Sequence, residues 1–197
     1  MVAYLKAVRA VQSLKSLRLL QANGLIIDFY TIGRCILDCV NEIDFLLEKY
    51  PEDSQTVEKF LKNFREATID GLLEKGTNRV VSKKIRNASA RVWEEEHLTP
   101  NHGKAALDKT YKIFSEYVHS QYSVIMEIYG GPHSNQAFQF GGISIEKRKA
   151  DYLEGIKELD DMVIHNLAYM AKQFSCGEVL REIIQHFDNL ETTHHFP

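Results

Sequence analysis

The chain has 197 residues, of which 44% are hydrophobic and 26% charged, with a formal charge of −3. This composition excludes a disordered polymer and fits one globular domain with its own core. The near-neutral balance excludes a global basic field, so any contact with nucleic acid needs a local patch. Apolar positions at three- and four-residue spacing predict a first helix from about Ala3 to Gln21, stopped by Asn23-Gly24. Residues 25–50 predict a second helix, ended by Pro51. Its side Leu25, Phe29, Ile32, Ile36, Cys39, Val40, Ile43 and Leu47 is apolar almost without interruption, which predicts a central position. Asp53 or Ser54 is expected to cap a third helix that ends near Gly76. A fourth is predicted over 79–96, a fifth over 104–129, a sixth over 145–174 and a short last one over 176–190. Residues 130–142 form a long irregular loop, with only a weak strand signal at 137–140, and residues 191–197 a frayed tail. The expected architecture is a single all-α domain, a bundle of about six long helices with a short C-terminal helix.

No apolar run approaches the roughly 20 residues of a membrane span, and residues 1–15 lack the separate regions of a signal peptide. Three cysteines without a C-x-x-C do not make a disulfide framework. A cytoplasmic protein with no membrane partner is expected. Cys35 and Cys39 stand one turn apart, but no third ligand stands at metal-site spacing, so both read as buried apolar residues. No cofactor or metal motif occurs.

Three groups carry chemistry. On the fifth helix, His119 flanks the apolar stripe Leu107, Tyr111, Phe114 and Val118, about 100° round from Val118 and one turn from Ser115 and Tyr122. That position suits an acid or base. Spacing alone favours the other reading, a boundary histidine bonded to Ser115 or to a carbonyl. On the second helix, Arg34, Asp38 and Asn41 share a face interleaved with Ile27, Tyr30, Leu37 and Phe45, which predicts a partly covered polar network. In 75–93, Lys75, Arg79, Lys83, Lys84, Arg86 and Arg91 occur without an acid. Arg79, Lys83 and Arg86 form one stripe that suits phosphates, and Trp93 suits a stacked base. The same run also reads as a solvated helix paired with acidic neighbours.

Read together, R-x3-[DE]-x2-N (Arg34, Asp38, Asn41) and S-x-Y-x-H (Ser115, Tyr117, His119) resemble a mostly prokaryotic family of uncharacterised helical proteins, distantly similar to the HEPN helical bundles. The resemblance covers roughly residues 15–130 and implies a helical bundle that binds a nucleotide or RNA. It also implies, as an alternative, a metal-independent ribonuclease of a toxin or defence system, built across a homodimer on an R-x4–6-H motif. Here Phe114, Ile113 and Lys112 occupy the arginine positions before His119, so Lys112 supplies charge without the planar fork of arginine. A catalytic reading therefore requires Arg34 and Asp38 to converge on His119. A third reading is a non-catalytic interaction or structural bundle in which the polar network fixes packing.

Overall fold

The computed structural model describes residues 1–50, 52–69, 80, 82–97, 102–119, 145–183 and 185. The described residues form an all-α bundle. Its long helices are α1 (Val2–Ala22), α2 (Ile26–Lys49), α3 (Ser54–Ile69), α4 (Ser82–His97), α5 (His102–Val118) and α6 (Ile145–Gln173). Residues 177–183 are helical again. The expected ends of the third and fifth helices, the 130–142 loop, the signal at 137–140 and the C-terminal tail lie outside the described residues.

Local chemistry sets the helix ends. Gly24, at φ 72°, lets the Leu25 amide reach back to the Leu20 carbonyl at 2.9 Å and the Gly24 amide to Gln21 at 3.0 Å. This left-handed closure satisfies carbonyls that the end of α1 would leave bare. Tyr50, which precedes Pro51, is extended and stops α2. The Thr56 amide donates to Asp53 Oδ1 at 3.1 Å, so Asp53 caps α3. In the first turn of α5 the Lys104 amide donates to Glu94 Oε1 of α4 at 3.3 Å.

α2 is central and packs against all five other long helices. Phe29, Ile36, Leu37, Val40, Ile43 and Phe45 are almost completely buried although they point in different directions round the helix. One core joins Leu17, Phe29, Ile36, Phe114, Leu159 and Val163; a second joins Ile43, Phe45, Val57, Phe60, Ile85 and Met170. On α5 the predicted stripe is corrected by one position. Tyr117 is buried and stacks on Tyr30 with ring centroids 4.0 Å apart, while Val118 is 40% exposed. Stacking with Tyr30 fixes the rotation of α5 and turns Val118 and His119 toward solvent.

Candidate functional site

Arg34 anchors a polar junction between α2, α4 and α5. Its Nη2 donates to Asp38 Oδ1 at 2.9 Å, one turn along α2, and to the Tyr111 hydroxyl of α5. The Arg34 guanidinium carbon lies 3.8 Å from the centre of the Tyr111 ring, and that of Arg86 from α4 lies 4.0 Å from the same ring. Arg86 Nε in turn donates to Asp108 Oδ1 at 3.3 Å. Two guanidinium groups share one aromatic ring, and each has a carboxylate of the same chain. Burial raises the Asp38 carboxyl above its ordinary value, and the Arg34 charge and hydrogen bond only partly offset it. Arg34 Nε is buried with no acceptor among the described residues.

The fold brings Arg34 and Asp38 together but does not bring His119 to them. α2 and α5 run antiparallel, because Arg34 meets Tyr111 while Tyr30 meets Phe114 and Tyr117. His119 follows Tyr111 by eight residues, which at helical rise is about 12 Å further along α5. Asp38 lies in the opposite direction. His119 is exposed, and its backbone N–H donates to the Ser115 carbonyl at 3.0 Å. The expected convergence of Arg34, Asp38 and His119 is thus corrected. The cause is the antiparallel pairing together with the rotation of α5 set by Tyr117.

The remaining predicted residues scatter. Asn41 is buried, Ser115 half-buried, and neither Asn41 Oδ1 nor Ser115 Oγ finds a hydrogen-bond partner among the described residues. Lys112 and Lys83 are exposed, and Arg79 and Lys75 lie outside the described residues. Within α4, Lys84, Arg86 and Arg91 reach acids of other helices or turns. Lys84 reaches Thr56 Oγ1 at 3.1 Å and Asp53 at 3.7 Å, and Arg91 Nε reaches Glu48 Oε1 at 2.5 Å. The Trp93 ring packs on the core and lies 4.8 Å from the His165 ring, so it faces α6. Cys35 and Cys39 are half-buried, and burial pushes the Cys39 thiol up to about 11, which leaves it an inert apolar residue. Among the described residues no group of three or more His, Cys, Asp or Glu side chains is arranged to hold a metal.

Two further features were not singled out by motif. The first is a buried acid. Asp44 is completely buried, accepts from Ser89 Oγ and from Asn166 Nδ2 at 2.6 Å each, and is pushed up to about 7 by burial, which those two bonds only partly offset. Asn41, Asp44 and Glu48, polar at three- and four-residue steps on a helix apolar nearly all round, were the available signal. The second is the outer face of α1. Met1, Tyr4, Leu5 and Val8 are 94, 64, 51 and 38% exposed, although Ala3, Ala7, Ala10 and Leu17 on the inner side already bury against the bundle. Every charge on α1 is positive: Lys6, Arg9, Lys15 and Arg18. Lys6 pairs with Glu42 and lies against the Phe64 ring, and Arg18 pairs with Asp160 at 2.7 Å; Arg9 and Lys15 are exposed. No helix among the described residues is long and apolar enough to cross a membrane. No protein family, curated protein or solved structure matches the chain.

Proposed function

We propose that the chain is a non-catalytic interaction bundle that docks an acidic amphipathic helix of a partner on the outer face of α1. One observation carries this reading: four large apolar residues at one-turn spacing stay exposed on a helix whose only charges are cations. A surface helix ordinarily buries one apolar stripe and turns polar residues to water. α1 is apolar on both sides. Covering the outer stripe removes apolar area from water, at about 25 cal/mol per Å², while Arg9 and Lys15 at its edges favour an acidic partner and repel a basic one. The Arg34 junction supports the same reading from the other direction. Its cations are matched by carboxylates of the same chain, the arrangement expected of a packing clamp. The test is fluorescence polarisation of a labelled helical peptide with Leu on one face and Glu on the other. With the chain dilute enough that self-association does not compete, wild type binds it, and Leu5→Asp with Val8→Asp abolishes binding while the circular dichroism is unchanged. A wild type that ignores the peptide overturns the reading.

A second reading is binding of a nucleotide or RNA, favoured by Lys83 and Lys112, which stay exposed on the helices that carry Arg86 and Tyr111. The resemblance to HEPN-like bundles belongs with it. RNA affinity that falls steeply with salt and is lost in Lys83→Glu with Lys112→Glu selects this reading. The ribonuclease alternative draws no support from a His119 about 12 Å along the helix from the Arg34 contact. Cleavage of mixed RNA in EDTA by wild type but not by His119→Ala would restore it.

A further inference from the structure

A second uncovered apolar surface lies at the same end of the bundle as the first. α6 closes through Ser175, at φ 55°, with the Cys176 amide bonded to the Ala171 carbonyl at 2.8 Å and the Ser175 amide to Lys172 at 3.1 Å. The helix over 177–183 begins directly after this closure. Residues 177–183 make its first two turns. Its own bundle does not bury it: Val179 is 49% exposed, Leu180 and Ile183 are half-buried, and the rest are exposed. Val179, Leu180 and Ile183 form one edge, and Glu178 and Glu182, one turn apart, line the edge beside it. Arg181 lies on the far side of Glu178 from the apolar edge, so these turns carry two acids against one cation, with the acidic edge next to the apolar one; that is the chemistry that the outer face of α1 takes.

The two surfaces adjoin. A groove of about 490 Å³ at this end of the bundle is lined by Met1, Val2, Leu46, Tyr50, Leu61 and Phe174 among others. Met1 belongs to the α1 stripe, and Phe174 stands three residues before the helix that starts at 177. Tyr50 and Phe174 are 69 and 59% exposed, so the apolar surface runs from α1 across the groove to the base of that helix.

We infer that the partner is a second copy of this chain, with residues 177–183 of each copy seated on the α1 face and end groove of the other. The inference rests on the reading of α1 as a docking surface and names its occupant. A helix that starts at the rim of the groove makes this exchange reciprocal, since one two-fold axis covers both grooves and both helices. Charge selects the pairing. Two α1 helices laid together would oppose cation to cation, whereas Glu178 and Glu182 meet Arg9 and Lys15.

Sedimentation equilibrium of the full chain over a wide concentration range tests it. Wild type sediments as a dimer. Val179→Asp with Leu180→Asp, and separately Leu5→Asp with Val8→Asp, sediment as monomers with the helicity of the long helices retained. Arg9→Glu weakens the dimer about two- to fivefold, and adding Glu182→Arg restores it. A wild type that is monomeric throughout, or a dimer untouched by all these variants, overturns the inference. The two readings fail separately. A monomer that still binds the acidic peptide through Leu5 and Val8 removes only the second copy, whereas a monomer that ignores the peptide removes both.

Discussion

Gly33 and Ser175 show how single residues set this fold. A Cβ built on Gly33 would meet Phe114 Cε1 at 2.0 Å, and Phe114 is itself only 3% exposed. The absent side chain is therefore what lets α2 and α5 approach, and a Cβ would force a buried ring to shift. Gly33→Ala is expected to lower stability by about 1–3 kcal/mol, measured by urea unfolding, although alanine is the better helix former. An unchanged midpoint would mean that α5 does not sit this close. Ser175 presents the reverse case. It holds a left-handed φ of 55° that costs a side chain about 1 kcal/mol. Ser175→Gly is expected to raise stability by up to that amount, and a lower melting temperature would contradict the closure of α6.

At the scale of elements, the Arg34–Tyr111–Arg86 junction clamps α2, α4 and α5 to one another. Tyr111→Leu removes the ring from both guanidinium groups and a hydrogen bond from Arg34. A loss of about 1–3 kcal/mol is expected, with Tyr111→Phe losing less because the ring contacts remain. Equal losses in the two variants would assign the contribution to the hydroxyl alone. Much of this element-scale order was legible in the sequence. Asn23-Gly24, Pro51 and Asp53 mark helix ends through backbone chemistry that needs no tertiary partner. The length and apolar girth of α2 announced a central helix. Arg34 with Asp38 was legible because i and i+4 meet on any helix. Tyr111 was not, since it read as an apolar stripe residue and its partners come from two other helices. The rotation that buries Tyr117 in place of Val118 follows from Tyr30 across the interface, and periodicity within α5 does not contain it. The same rotation leaves His119 in solvent, away from Arg34, and only the placement of the neighbouring helix reveals it.

The whole molecule is built round a buried acid. Asp44 joins α2, α4 and α6 through Ser89 and Asn166, neutral partners that hold a carboxyl pushed up to about 7. The folded state therefore keeps its proton where the unfolded chain releases it. Stability from this group is full below about pH 4 and is lost as pH rises through about 7. Asp38 and Glu42, also raised chiefly by burial, act in the same direction. Asp44→Asn keeps the shape and offers an amide to the Ser89 oxygen. It is expected to flatten the unfolding free energy between pH 4 and 8 and to exceed wild type at pH 8 on the order of 2 kcal/mol. A variant that keeps the wild-type slope would place the titration elsewhere. The proposed docking reading rests instead on the exposed apolar residues of the outer face of α1. The most direct measurement of that claim is hydroxyl-radical footprinting of Met1, Tyr4 and Leu5 in the Val179→Asp, Leu180→Asp variant, whose α1 face no second copy covers, with and without saturating acidic amphipathic peptide. The account predicts that these three lose reactivity in the complex while exposed Lys83 and His119 peptides label as before; equal labelling of α1 in both samples, or protection centred on Lys83 and Lys112, would contradict it.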